Sequence, residues 1–395
     1  MTARPAVAYL DHAAATPPRP EALEAMAAVE ADGFANASGS HRLAREARRA
    51  VEEARDLVAG FVGARPSEVV FTSGGTESDN LAVLGTLTER TGALEPVGAV
   101  CSAIEHAAVL APMRAAARGA ARLLGVGAVK LTEVGATPEG MIDLDALALA
   151  LGPDTALVSV MTANNEVGTV QPIDAVAGLV RARAPRALLH TDAVQAAPYL
   201  DLAEVVGPCD LIALSAHKLG GPKGVGALVV RAPHRVAPIL HGGGQEHERR
   251  SGTHNVAGIV GFAAALAALD AEREAEAARV GRLRDAFADA VLASVPDTTE
   301  SAPRRATLPG HCHLRFARVE QEELLMLLDR GGVYASAGSA CASGAVEPSH
   351  VLLAMGLDPL EARGGVRFTL GRTTTEAEVL GAVGVVADAV ARLRA

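Results

Sequence analysis

The sequence predicts an α/β fold: a mostly parallel sheet with helices on both faces, followed by a smaller α+β unit. Short apolar runs recur at residues 69–72, 99–103, 155–161, 187–191 and 209–214, with helix-length segments between them. Strands joined through helices imply right-handed crossovers and parallel pairing. Each run is followed by a polar segment, and in such sheets ligands collect beyond the carboxyl ends of the strands.

Composition sets the outer limits. The chain has 395 residues, 49% hydrophobic and 21% charged, enough for two units around a substantial core. Aromatic residues are 3% and Trp is absent, so that core must be mostly Ala, Val and Leu. The net charge of -10, with no basic tract, speaks against a direct nucleic-acid partner. No apolar signal-like segment precedes Asp11, and no stretch reaches membrane-spanning length without Gly or charge. Cys101, Cys209, Cys312 and Cys341 show no CxxC pairing, which fits reduced thiols in a cytoplasmic protein.

In chain order, a short helix is expected at 20–31 and a polar loop at 33–41. A longer helix follows, with Leu43, Ala47, Ala50, Val51, Ala54, Leu57, Val58 and Phe61 on one face and arginines and glutamates opposite. Further helices open at Thr76 and His106. After Gly244 the texture changes: 257–295 is alanine-rich and reads as helical with a break near Asp270. Strands at 311–316, 333–336 and 366–370, with intervening helices, make the smaller unit. We therefore expect a large domain over 16–260 and a small one from 1–15 together with 261–395.

The chain is organised around Ser215-Ala216-His217-Lys218-Leu219-Gly220-Gly221-Pro222-Lys223-Gly224, which lies between two apolar strands. A lysine among small residues at a sheet edge is placed to lose its proton and attack a carbonyl. The bland alternative is a solvated loop lysine. A Walker phosphate loop is excluded by its spacing and by the missing Ser/Thr after the lysine.

Other strand ends carry polar groups, each with an ordinary reading beside the functional one. Ser73-Gly74-Gly75-Thr76 opens a helix and suits a phosphate, or a simple cap. His190-Thr191-Asp192-Ala193-Val194-Gln195 offers a carboxylate for a protonated ring nitrogen and an amide for a ring oxygen, or a helix cap. Asn164-Asn165-Glu166 suits a substrate carboxylate or ring hydroxyl, or a turn; Glu105-His106 places an imidazole to stack or shuttle protons. Together they match the phosphate, pyridine ring and aldehyde of pyridoxal 5'-phosphate (PLP). Cys341 sits in a run of small residues, 335–344, that suits a nucleophile, whereas Cys101, Cys209 and Cys312 lie in strand-like runs. His311-Cys312-His313 alternates like a strand and lacks a further ligand pair, so no metal site is expected.

The chain resembles the cysteine desulfurases of the class V aminotransferase group, PLP enzymes of fold type I with a seven-stranded-type sheet. The likeness runs from Tyr9-Leu10-Asp11 to Leu370-Gly371-Arg372. It is carried by Ser215-Ala216-His217-Lys218, Gly242-Gly243-Gly244-Gln245-Glu246, Arg250-Ser251-Gly252-Thr253, Gly338-Ser339-Ala340-Cys341 and Glu347-Pro348-Ser349-His350. It implies that Lys218 forms a Schiff base with the cofactor and removes the Cα proton. Asp192 would pair with the ring nitrogen, His106 would stack on the ring, and Asn165 and Gln195 would contact its substituents. Gly75, Thr76, Ser215 and His217 would hold the phosphate, with Thr253 reaching in from the other subunit of a homodimer. Arg367 would clamp the substrate carboxylate.

In this scheme Cys341, on a loop like that of the mobile-loop subgroup, takes sulfur from L-cysteine as a persulfide, leaving alanine. A sulfur-acceptor protein or small thiol then receives the sulfur, for iron-sulfur clusters, tRNA thiolation or a specialised pathway. Departures from the family pattern include Ala37, His254 and Arg363-Gly364-Gly365. Two alternatives share the scaffold: a selenocysteine lyase, and a non-catalytic protein that binds sulfur carriers.

Overall fold

The computed structural model describes residues 8–90, 96–122, 125–338 and 348–395. The strands, in chain order, are β1 (Ala8–Tyr9), β2 (Val69–Thr72), β3 (Val97–Ser102), β4 (Val129–Val134), β5 (Thr155–Ser159), β6 (Leu188–Asp192), β7 (Leu211–Ser215), β8 (Gly226–Val230), β9 (Thr298–Glu300), β10 (His311–Phe316), β11 (Val333–Tyr334) and β12 (Gly365–Thr369). Seven of them form one sheet in the order β2-β8-β7-β6-β5-β3-β4. Within it β8 alone runs against its neighbours β2 and β7, so the expected mostly parallel α/β sheet is present.

Period-two side-chain alternation explains why both faces are covered. Val70, Leu157, Leu188, Leu211 and Leu228 point to a core shared with Leu81, Leu87, Val109 and Met113 of the helices Gly75–Arg90 and Ala107–Ala117. Their sequence neighbours Phe71, Val158, Leu189, Ile212 and Val229 point to the opposite core. That core is closed by Val51 and Val58 of Arg42–Phe61, by Val176 and Val180 of Ile173–Arg183, and by Phe262 and Leu266.

Strand β4 was not anticipated. Val129-Lys130-Leu131-Thr132-Glu133-Val134 alternates apolar and polar residues as an edge strand should, and that period was the available signal. The segment after Asn255 is one helix, Val256–Ser294, which corrects the expected break near Asp270. Asp270 is exposed and pairs with Arg273 (2.5 Å) one turn on, and no Gly or Pro falls between 262 and 280 to interrupt the helix. Its first half packs in the core containing Phe262, and its second half, with Val280, Phe287 and Val291, packs in a separate core. We propose that the large and small units meet along this helix. Beyond the seven-stranded sheet, β12-β10-β9 form an antiparallel three-stranded sheet, and β1 pairs in parallel with β11.

Two assignments on the helix Arg42–Phe61 also change. Leu57, placed on the apolar face, is 49% exposed, whereas Arg55, grouped with the polar face, is buried. Arg55 forks onto Glu246, NH1 to Oε2 and NH2 to Oε1, both at 2.8 Å. Glu246 also accepts from the Phe71 N–H (2.7 Å) and is bonded to His254 (2.6 Å). His254 thus gives this carboxylate a further partner. The bonds fix a left-handed turn at Glu246, His247 and Glu248 (φ 50°, 55° and 64°), which costs these residues about 1–2 kcal/mol each. Burial alone would raise the Glu246 pKa, but the hydrogen bonds from Arg55 and His254 outweigh it and bring it to about 2. This stabilisation is complete above the ordinary carboxylate pKa and is lost as pH falls toward 2. Glu246→Gln should destabilise the protein by up to about 3–5 kcal/mol in chemical denaturation, because it takes the buried anion from Arg55 and leaves it only the exposed Glu52 at Nε (3.2 Å). A change within experimental error would show that the pair is dispensable.

Candidate active site

The carboxyl ends of β2, β3, β5, β6 and β7 all open on one cavity of about 490 Å3, a size suited to a small cofactor with its substrate. Gly75, Thr76, His106, Asn165, Asp192, Gln195, Ser215, His217, Lys218 and Arg367 line it. Ten of the residues singled out from sequence therefore meet in one place. Thr253 does not: it is exposed in the segment before Val256–Ser294 and is absent from this cavity's lining. Cys341 lies outside the described residues.

Lys218 ends a short turn, Ala216–Lys218, that directly follows β7. Its Nζ donates to the carbonyls of Ala13 (2.6 Å) and Ala14 (2.9 Å). Those carbonyls are presented by a turn that Tyr9 fastens, donating from its hydroxyl to the Ala15 carbonyl (2.7 Å). Gln195 Nε2 also donates to the Ala13 carbonyl (2.8 Å). Burial, then the Arg367 charge, pulls the Lys218 pKa down to about 8. A substantial neutral fraction at physiological pH is what a nucleophilic amine needs.

Asp192 ends β6 and is buried, with Oδ1 accepting from the Val194 N–H (2.9 Å). Burial raises its pKa, against the pull of His106, the Val194 N–H and Lys218. A carboxylate in that position favours a cationic partner such as a protonated pyridine nitrogen. His106 caps the helix Ala107–Ala117, its Nδ1 accepting from the Ala108 N–H (3.1 Å). His106 is thus a helix cap that also lines the cavity. Surrounding protein, then Lys218, His350 and Arg367, lower its pKa despite Asp192.

At the other end, the first N–H groups of Gly75–Arg90 have no acceptor within the helix. A Cβ on Gly75 would stand 3.0 Å from Val194 Cγ2 and 3.5 Å from Ser215 Cβ, so glycine keeps this cradle open. Ser215 Oγ is 2.9 Å from His217 Nδ1. Burial and the lysines Lys218 and Lys223 lower the His217 pKa to about 4, leaving a neutral hydrogen-bonding ring. An anion such as a phosphate fits this end, and a cationic ring fits Asp192 at the other. Asp79, His106 and Asp192 bring donor atoms within 4.8 Å of one another, as a metal site would. The remaining walls, with Lys218, Arg367 and the helix N-terminus, instead suit an anionic organic ligand.

Arg367 lies on β12 and reaches the cavity from the three-stranded sheet. NH2 donates to Asp11 Oδ1 (2.8 Å) and NH1 to the Asn165 carbonyl (2.9 Å), while Nε has no partner. Several contributors were missed at the sequence level. Asp79 is one helical turn beyond Thr76, a spacing that should have placed it on the same face. His350 lines the cavity and bonds the Glu105 carbonyl (3.0 Å), and buried Glu166 accepts from Ser349 (2.5 Å). The other cysteines behave as expected: Cys101, Cys209 and Cys312 are buried and free. Burial raises all three thiol pKa values, to about 12 for Cys209 and Cys312.

The sequence profile of the aminotransferase class-V family matches residues 8–381. The chain belongs to that family. It is 45% identical over 394 residues to the IscS-like cysteine desulfurase of Mycobacterium tuberculosis, a match covering 98% of this chain and 97% of the relative. Among solved structures, a NifS-like protein superposes with a TM-score of 0.88 at 33% identity, covering 98% of this chain and 100% of the other. A second, solved as SspA in complex with cysteine, gives a TM-score of 0.78 at 32% identity, covering 93% of this chain and 100% of the other. Among the described residues, no helix is long and apolar enough to cross a membrane.

Proposed function

We propose that the protein is a PLP-dependent cysteine desulfurase, taking sulfur from L-cysteine, leaving L-alanine, and passing the sulfur through Cys341 to an acceptor. The observation that carries this reading is the meeting of Lys218, Asp192, His106, the Gly75–Thr76 cradle and Arg367 in one cavity. Full-length likeness to proteins named cysteine desulfurases favours it over a selenocysteine lyase.

When bound, PLP supplies an electrophilic aldehyde and a ring that stabilises negative charge at the substrate Cα. Asp192 would keep a proton on the ring nitrogen, and Gly75, Thr76, Ser215 and His217 would hold the phosphate. Asn165 and Gln195 contact the ring substituents. Arg367 receives the substrate carboxylate through its guanidinium, where Asp11 and the Asn165 carbonyl already orient it. Lys218 would hold the cofactor through its amine, and that amine, when neutral and free, would take the substrate Cα proton. His106 would stack on the ring. The Cys341 thiolate attacks the substrate sulfur: an S–S bond forms and the C–S bond breaks. A carrier or scaffold protein, or a small thiol, then accepts the outer sulfur. Exposed Thr253 serves the partner subunit's cofactor in a homodimer, and the enzyme works in the cytoplasm.

Neutral amine is the form that reacts with the aldehyde. With the Lys218 pKa near 8, PLP uptake by the cofactor-free protein should accelerate about tenfold per pH unit below 8 and level off above it. Absorbance stopped-flow from about pH 6 to about pH 10 spans the shifted and ordinary lysine values; a rise continuing to the upper end would mean an unperturbed lysine. The function itself is tested by measuring alanine released from L-cysteine with a reducing thiol present, beside L-selenocysteine. Consumption of selenocysteine alone would replace this reading with the lyase.

A further inference from the structure

Three buried polar residues beneath the cavity have no part in the chemistry above. Asp79, Ser159 and His190 are each no more than 1% exposed. His190 Nδ1 is 2.8 Å from Ser159 Oγ, and its Nε2 is 3.4 Å from Asp79 Oδ1. Neither Asp79 Oδ1 nor His190 Nε2 has a conventional hydrogen bond, so each is the other's nearest claimant. Asp79 also lines the cavity and, with His106, lies within 4.8 Å of Asp192 through its donor atoms.

Building on the PLP reading, we propose that Asp79, His190 and Ser159 are positioning residues: they hold Asp79 uncharged with its proton turned away from Asp192, so that Asp192 carries the negative charge facing the cofactor ring.

Two carboxylates this close in a buried setting cannot both ionise, so one must keep a proton. Which one keeps it decides whether the ring nitrogen meets an anion or a neutral acid. The surroundings favour the proton on Asp79. Burial raises its pKa well above the ordinary value, and the groups acting on it, Asp192 and Glu105, are both acids that oppose its ionisation. Asp192 has the opposing help of His106, the Val194 N–H and Lys218. Burial drops the His190 pKa to about 3, so its ring is neutral and offers one acceptor and one donor. The consistent polarity has Asp79 O–H donating to Nε2 and Nδ1–H donating to Ser159 Oγ. Glu105 lies close by: burial pushes its pKa up to about 8, and its Oε1 accepts from the Met161 N–H (2.7 Å). The placement follows from the fold. His190 is two residues before Asp192 on β6, hence on the same side of the strand, and Asp79 is on the helix whose N-terminus suits the phosphate.

The test separates charge from packing. Asp79→Asn keeps an uncharged donor and should retain PLP and its visible pH titration close to wild type. His190→Phe removes the acceptor, lets the Asp79 proton turn to Asp192, and should weaken PLP retention at neutral pH about tenfold or more. The double variant should recover most of that loss, because an amide side chain at position 79 has no acidic proton to hand over. In cofactor-free wild type, the infrared difference against Asp79→Asn should contain a protonated-carboxyl band at neutral pH. That measurement stands even if His190→Phe fails to fold, and it is independent of PLP binding. The proposal is overturned if the band is missing, if Asp79→Asn loses PLP as severely as Asp192→Asn, or if the double variant stays as weak as His190→Phe. Failure of wild type to bind PLP at all would instead remove the cofactor reading while leaving the infrared result intact.

Discussion

Cys341→Ala should abolish persulfide and alanine formation while leaving PLP bound and the spectral response to L-cysteine in place. The groups proposed to hold PLP, and the arginine proposed for the substrate carboxylate, belong to other segments: β12, the ends of the central strands, the Gly75–Arg90 helix and, for Thr253, the segment before Val256–Ser294. None of the three remaining cysteines can substitute, since each is buried with its thiol pKa raised, and only a thiolate is nucleophilic. Loss of a covalent nucleophile costs several orders of magnitude in rate. Trimming one packed sulfur atom would instead be felt in stability, by a few kcal/mol at most. Rapid-scanning absorbance together with alanine analysis distinguishes the two. Near wild-type turnover by Cys341→Ala would exclude a persulfide on that residue.

Lys218→Ala should have a comparably large effect for a different reason. The amine is proposed both to link the cofactor and to remove the Cα proton, and positioned general-base catalysis alone is worth about 10²–10⁴-fold. Activity should therefore fall at least by that factor, and borohydride should no longer fix a chromophore to the chain. The fold should survive, because what is lost locally is a pair of hydrogen bonds to the Ala13 and Ala14 carbonyls. Peptide mapping of borohydride-treated wild type should place the chromophore on Lys218. Finding it on exposed Lys223 would reassign the lysine.

How much of this was legible in the sequence depends on which forces set each feature. Strands such as Val69–Thr72 and His311–Phe316 were bounded correctly because burial on both faces or one leaves a plain apolar pattern. The lysine was locatable because small residues and two flanking strands frame it. The edge strand Val129–Val134 was overlooked because half its residues face water and its period is short. Arg55 could not be read as buried: its partner Glu246 is 191 positions away, and only the tertiary fold brings the two together. The same holds for Asp79 and His190, which look like an ordinary helix carboxylate and an ordinary strand histidine until β6 and the Gly75–Arg90 helix are packed side by side. The apparent break near Asp270 came from reading a polar patch as an end, when it is the solvent face of one long helix.

The central claim is that sulfur leaves L-cysteine by direct transfer to Cys341. PLP-loaded protein, freed of small thiols, should be mixed with L-cysteine, quenched, digested and examined by mass spectrometry, with alanine counted in the same sample. The account predicts one added sulfur atom on the peptide containing Cys341, formed in proportion to the first alanine released, and no sulfur added to Cys101, Cys209 or Cys312. Alanine released in the first turnover without sulfur on Cys341, or sulfur carried by another cysteine, would contradict it.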